Sequence, residues 1–292
     1  MQIHSKHITT SLHDSLNQPE QGLSFYWLGQ AGFAFKINET CLLIDPYLSD
    51  SLAEKYKGTT FPHKRMIEIP VQPENLTQMD WVFCTHRHTD HMDPETLKQI
   101  HQASPKCRFL IPKVWVQRVI GYAIPKELIR PINAGESLKI GETITVQAIP
   151  AAHEQIEMDS ENNHLYLGYI LKTNFAAIYH SGDCVPYLGL VEKLKYAQID
   201  LAFLPVSGRD YYRKQRGVPG NFTIDEAIDI CLEAGIPNLV CHHFGMFDFN
   251  TIDEDMLYKK KQNKDKILNI IIPEMMNQYQ IIRIKNPANH EA

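Results

Sequence analysis

The run Thr85-His86-Arg87-His88-Thr89-Asp90-His91 places three imidazoles and one carboxylate within six residues. His86 and His88, two apart in an extended turn, can aim at one metal ion, while Asp90 and His91 can aim at a second. Mixed nitrogen and oxygen donors suit zinc, manganese or iron and exclude calcium, which takes oxygen ligands. A two-ion site needs further donors. His153, Asp183 and His243 each follow an apolar run that reads as a strand, so each is a candidate at a strand end. Ligands presented from rigid elements in this way hold a site's geometry.

The elements that must position these groups follow from periodicity and punctuation. Short apolar runs at 23–28, 33–37, 41–44 and 81–84 read as strands, the third ending on Asp45-Pro46. Asp93-Pro94-Glu95 announces a helix to about Gln102, with an N-cap carboxylate and proline at the first helical position. Further strands are expected at 108–111, 143–149, 166–172, 175–180, 199–204 and 280–284. Helices are expected at 113–121, 187–195, 223–234 and 253–264. Residues 51–79 read as loop-rich and residues 1–22 as a polar, irregular, solvated lead. One unit over 1–292, with its core at about 23–285, is the expected organisation, in a layered α/β class.

Composition narrows the function. Lys and Arg number 29 against 34 Asp and Glu, for a net charge of −5, with no basic stripe of the kind nucleic-acid binders carry. Fourteen histidines in 292 residues are concentrated where metal chemistry is expected. The six cysteines form no Cys-x-x-Cys pair and read as reduced core residues. Neither an apolar leader nor a membrane-length apolar run is present, so a cytoplasmic protein is expected, with homo-oligomerisation left open.

The order His86-x-His88-x-Asp90-His91, His153, Asp183, His243, with Asp45 after its strand, resembles the metallo-β-lactamase superfamily. Within it, Trp27-Leu28-Gly29-Gln30, Tyr179-His180-Ser181-Gly182-Asp183 and Cys241-His242-His243-Phe244-Gly245 are similar to the L-ascorbate-6-phosphate lactonase branch. The resemblance implies a four-layer αββα sandwich with two divalent ions, zinc or manganese and possibly iron. It implies that His86, His88 and His153 hold one ion, that Asp90, His91 and His243 hold the other, that Asp183 bridges them and that Asp45 braces the site. His243 is preferred to His242 because it keeps the spacing to Phe244-Gly245. Cys241 stands where relatives commonly have proline.

A metal-activated hydroxide needs no serine or cysteine nucleophile. The expected activity is hydrolysis, foremost the opening of a lactone of a phosphorylated or anionic sugar acid. Cleavage of a small phosphodiester is the alternative, and a non-catalytic metal-binding protein is less favoured. Asp183, Asp90 and His180 are the candidate catalytic residues, His180 as donor to a leaving alkoxide. Arg209, Arg213 and Arg216 lie in a cation-rich loop and are candidates to clamp an anionic small-molecule substrate. Lys259-Lys260-Lys261, with Lys264 and Lys266, reads as an exposed helix face.

Overall fold

The structure is a computed structural model describing residues 1–264 and 267–282. In chain order the first strands are β1 (Gln2–His7), β2 (Leu23–Gly29), β3 (Gly32–Ile37), β4 (Thr40–Ile44), β5 (Trp81–Phe83), β6 (Arg108–Pro112) and β7 (Ile129–Ile132). A second group comprises β8 (Ser137–Ile140), β9 (Ile144–Pro150), β10 (Leu167–Lys172), β11 (Ala177–His180), β12 (Leu201–Pro205), β13 (Asn238–His242) and β14 (Asn269–Ile271). Strand β15 (Asn277–Ile282) returns to the first group. The first sheet runs β1-β15-β2-β3-β4-β5-β6-β7 and the second β14-β13-β12-β11-β10-β9-β8. From β4 to β7, and from β11 to β14, neighbouring strands are parallel.

Alternation along the strands builds the layers. Leu23, Phe25 and Trp27 of β2 share a core with Tyr169, Tyr179 and Phe203 of the second sheet, whereas Tyr26 and Leu28 point to the opposite side. Phe203 meets Phe25 and Phe33 edge-on at 5.0 and 4.7 Å between centroids, which locks the sheets face to face. The outer side of the first sheet is covered by α1 (Leu12–Asn17), α3 (Pro94–Ala103) and α4 (Val116–Ile120), through Leu12, Leu16, Leu97, Ile100 and Val119. On the second sheet, α5 (Leu190–Ala197) and α7 (Ile224–Ala234) pack against each other, and α7 lies on β12 and β13. The result is a mixed α/β sandwich of two sheets faced by helices, in the expected class. A short α2 (Ser51–Lys55) interrupts the loop-rich 51–79 stretch, and α6 (Tyr211–Lys214) and α8 (Glu254–Lys264) complete the helices. Helix α7 starts on a capping box between Thr223 and Glu226. Among the described residues no helix is long and apolar enough to cross a membrane.

Three expectations are corrected. The lead segment is not solvated and irregular: β1 pairs antiparallel with β15 from Gln2↔Ile282 to His7↔Asn277, and α1 buries Leu12 and Leu16. The partner of β1 is the far end of the chain, which no local pattern reveals. Strands β7 and β8 stood in no expectation, because they are four residues each and β7 carries Pro131, tolerated on a sheet edge. Strand β14, three residues long, was missed for the same lack of a period. Arg283 and Ile284 of the expected closing strand, and Lys266, lie outside the described residues.

Candidate metal centre

The C-terminal ends of the strands converge on one crevice, as open parallel arrangements favour. Strand β4 delivers Asp45, β5 leads into Thr85 and His86, and β9 leads to His153. Strand β11 leads to Asp183, and β13 to His243. After β5 the chain turns tightly, with His91 and Met92 donating backbone hydrogen bonds to His88 O, so His86, His88, Asp90 and His91 face inward together. Asp93 then caps α3 by accepting from Thr96 N, and the hydroxyls of Ser49 and Ser51 donate to its carboxylate.

Two groups of ligand-type atoms result, each with its members within 4.8 Å of one another: His86, His88, His153 and Asp183, and Asp90, His91 and His243. Asp183 faces both. Its Oδ1 is 3.2 Å from His91 Nε2, and its Oδ2 is 3.3 Å from His243 Nε2 and 3.6 Å from His153 Nε2. Asp90 Oδ2 lies 3.6 Å from His243 Nε2.

Behind His86, His91, His153 and His243 a second contact sets the orientation of the ring, as is usual for metal-binding histidines. Asp45 accepts from Thr85 N, Thr85 Oγ1 and His91 Nδ1 at 2.6–2.7 Å. Because the Thr85 hydroxyl proton goes to Asp45, its oxygen accepts from His86 Nδ1 at 3.0 Å. His153 Nδ1 donates to Gly220 O at 3.2 Å, and His243 Nδ1 meets Ser207 Oγ at 3.2 Å. The opposite nitrogens are thereby left for the centre. Asp45→Asn removes the ionic acceptor of His91. We expect it to weaken metal affinity roughly 10–100-fold in a competitive chelator titration, with far-UV dichroism unchanged. Unaltered affinity would contradict the bracing role.

The residues fit divalent ions on their own chemistry. His91 Nε2 and Asp183 Oδ1 are buried without a hydrogen-bond partner, a cost that a cation between them removes. Burial and the imidazoles of His91 and His88 hold His86 well below its ordinary pKa. Burial, with His153 beside it, takes His88 down to about 4, and burial also lowers His153. For His91 and His243 burial is outweighed by Asp183 and its neighbouring carboxylates, so both are raised, His243 to about 9. Burial alone would raise Asp90 and Asp183, yet His91 and His243 hold both carboxyls below the ordinary range. Neutral imidazoles and ionised carboxylates are the ligating forms, so an ion entering the second group would displace the protons that the carboxylates hold on His91 and His243.

The backbone is bent to this purpose. Gln30, Asp45 and His243 all have positive φ (52°, 48° and 59°), a conformation that costs side-chain-bearing residues on the order of 1 kcal/mol or more each. Gly182 is also left-handed, at φ +60°, and a Cβ there would sit 2.8 Å from Thr85 Cβ. Gly182→Ala therefore pushes Thr85 off Asp45. A loss of roughly 1–3 kcal/mol in denaturant unfolding is expected, and a neutral result would contradict the close packing.

Gln30 has a place at the centre that sequence reasoning did not assign. It is fully buried, its Nε2 donates to Asp90 Oδ2 at 2.9 Å and lies 2.9 Å from His243 Nε2, and its backbone oxygen accepts from His243 N. The available signal was a polar residue inside an apolar strand-turn-strand run. Tyr166 is a second such residue, its ring 5.3 Å from that of His86 and 5.2 Å from that of His153.

Other candidates fall elsewhere. His180 is wholly buried: Gly182 N donates to its Nδ1, its Nε2 donates to Ala31 O, and its ring stacks on His242 at 4.9 Å. Both nitrogens are committed, so His180 is a packed strand histidine rather than a proton donor to substrate. His242 shares that interior stack, and His243 is the member of the doublet that faces the carboxylates. Arg209 is engaged by Glu226 and Asn221 O, and Arg213 by Asp210, Asn250 and Ser207 O. Carboxylates brought close by folding thus take these two guanidiniums, and neither lines the cavity. Arg216, its guanidinium over the Tyr212 ring at 3.6 Å, does line it. All six cysteines are free and buried.

Above the centre opens a cavity of ≈ 630 Å³. His88, Asp90, His153, Asp183 and His243 form its floor, and Leu52, Tyr56, Phe61, His63, Phe247 and Phe249 supply an aromatic and apolar wall. Phe61 stacks on Phe249 at 4.4 Å and His63 on Tyr56 at 4.2 Å, so this wall is packed.

A mixed two-sheet sandwich with histidines and aspartates gathered at strand ends defines a metallohydrolase of the metallo-β-lactamase fold. Residues 40–244 match the beta-lactamase superfamily domain, and the chain belongs to that family as a metal-dependent hydrolase. It is similar to N-acyl-phosphatidylethanolamine-hydrolyzing phospholipase D 1 of Caenorhabditis elegans, with 27% identity over 248 residues, 80% of this chain and 67% of the relative. It is also similar to a probable L-ascorbate-6-phosphate lactonase of Shigella boydii, with 23% identity over 221 residues, 70% of this chain and 60% of that protein. The fold is shared with a possible metal-dependent hydrolase from Veillonella parvula, at a TM-score of 0.69 and 16% identity, covering 90% of this chain and all of the other.

Proposed function

We propose that this hydrolase cleaves a phosphodiester that carries an apolar substituent, using two divalent ions, zinc, manganese or iron. The observation that carries this reading is the wall of Leu52, Phe61, Phe247 and Phe249 beside the metal-ligand floor in one cavity. A sugar acid has little apolar surface to set against such a wall, whereas an alkyl, aryl or acyl group gains from burial there at about 25 cal/mol per Å². The phospholipase named among the relatives acts on a substrate with this combination. When bound, the ions supply a nucleophilic hydroxide at neutral pH and neutralise charge on the phosphoryl oxygens.

The protein's own groups do the rest. His86, His88 and His153 would hold one ion and Asp90, His91 and His243 the other, with Asp183 facing both groups. Asp45, Thr85, Ser207 and Gly220 O fix the imidazoles, and Gln30 steers Asp90. The aromatic wall excludes water from one side and sets the diester's substituent.

Opening of an anionic sugar-acid lactone is the second reading, favoured by the lactonase-like Tyr179–Asp183 run. Assay of the metal-loaded protein against bis(p-nitrophenyl) phosphate and against a sugar-acid lactone separates the two. Diester cleavage without lactone turnover is expected. Lactone turnover alone would overturn the first reading.

A further inference from the structure

Two arginines at the cavity differ in kind from Arg209 and Arg213. Arg87, between His86 and His88, has its guanidinium over the Trp115 ring at 4.8 Å and makes no side-chain hydrogen bond to any described residue. Arg118, three residues beyond Trp115 and so on the same side of the turn leading into α4, also lines the cavity. Its Nε donates to Tyr122 Oη at 2.6 Å, which leaves the two terminal amines free. No carboxylate among the described residues comes within 4.0 Å of either guanidinium.

The platform under Arg87 is fixed. Trp115 Nε1 donates to Leu165 O at 2.8 Å, and the next residue, Tyr166, packs its ring against those of His86, His88 and His153. Arg87 is therefore tied to the flank of the first ligand group, and Arg118, its guanidinium 5.9 Å from the Tyr122 ring, lines the same cavity from α4. Both arginines are exposed and line the cavity without an ion-pair partner among the described residues, so an anion entering it meets two guanidiniums able to bind it.

We propose that Arg87 and Arg118 form an anion-anchoring subsite for a second, non-scissile anionic group of the substrate, a carboxylate or a phosphate monoester. This rests on the phosphodiester reading above. It assigns substrate orientation: the remote anion lies on the Arg87 and Arg118 side, the scissile group over the ligand floor, and the apolar substituent along Phe61, Phe247 and Phe249. The arginines choose which substituent of an unsymmetrical diester is held.

The test compares butyl p-nitrophenyl phosphate with its ω-carboxylate analogue on metal-loaded protein. For Arg118→Ala and for Arg87→Ala/Arg118→Ala, KM for the carboxylated ester is expected to rise on the order of tenfold or more, with kcat nearly constant, while KM for the butyl ester changes by less than about twofold. Arg87→Lys keeps charge but not the planar fork and is expected to recover part of the loss. Arg118 is remote in sequence from every ligand, so Arg118→Ala separates anion binding from any disturbance of the metals, and metal content is measured for each variant. Equal changes on both esters, or none, would overturn the subsite. If the wild type turns over neither ester, the phosphodiester reading fails, and the subsite is then read by calorimetric binding of butane-1,4-bisphosphonate against butylphosphonate. Preference for the bisphosphonate that is lost in Arg118→Ala supports it, and equal affinities overturn it.

Discussion

Asp183→Asn is expected to lower kcat by about 10³-fold or more, the largest effect of any single substitution here. One carboxylate lies 3.2–3.6 Å from the Nε2 atoms of His91, His243 and His153, so it touches both ligand groups. Asparagine keeps the shape and removes the charge that the proposed pair of ions would share. A 10³-fold loss corresponds to about 4 kcal/mol of transition-state stabilisation. Steady-state assay, with metal content by mass spectrometry, checks this. Full turnover with two metals bound would sink the bridging assignment. His88→Ala offers an independent check, since it strips only the first group.

Metal removal is the second large effect. Chelation is expected to abolish turnover and to lower Tm by roughly 5–10 °C, with both restored on adding back zinc, manganese or iron. At a ligand concentration a hundredfold above Kd, binding stabilises the folded state by about 2.7 kcal/mol, and one kcal/mol moves Tm by about 2–4 °C at somewhat smaller sizes than this. The centre joins both sheets, through β5 on one side and β11 and β13 on the other, so metal bound there would hold the sandwich at one edge. Scanning fluorimetry reads the shift, and the order in which the three metals restore turnover identifies the effective one. Unchanged Tm and turnover in protein verified as metal-free would exclude a metal centre.

Legibility in the sequence tracked the range of the interaction that makes each feature. The 86–91 cluster is local, and its donors can be read off six residues. His153, Asp183 and His243 were legible because each follows an apolar strand, and strand ends are where such folds present polar groups. The arginine loop shows the limit. Arg209 and Arg213 have the residue type for gripping an anion, but Glu226 and Asp210 claim them, and for Arg209 that partner lies across a fold-dependent contact. Arg87 and Arg118 remain open for the opposite reason, since folding brings no carboxylate to them. His180 failed as a proton donor because the Ala31 carbonyl, supplied by the other sheet, takes its second nitrogen.

By itself the sequence determined the donor types, their order along the chain, the strand-and-helix rhythm that carries them and the class of chemistry they support. Those follow from residue identity and from patterns spanning a few residues. The tertiary structure decided which imidazole of the His242-His243 pair faces inward, that Gln30 belongs to the centre, and that an aromatic wall assembled from residues 52–63 and 247–249 stands over it. It also tied the N-terminal strand to the far end of the chain. Each of these depends on contacts between segments distant in sequence, where the energy lies in packing and pairing that no local window contains.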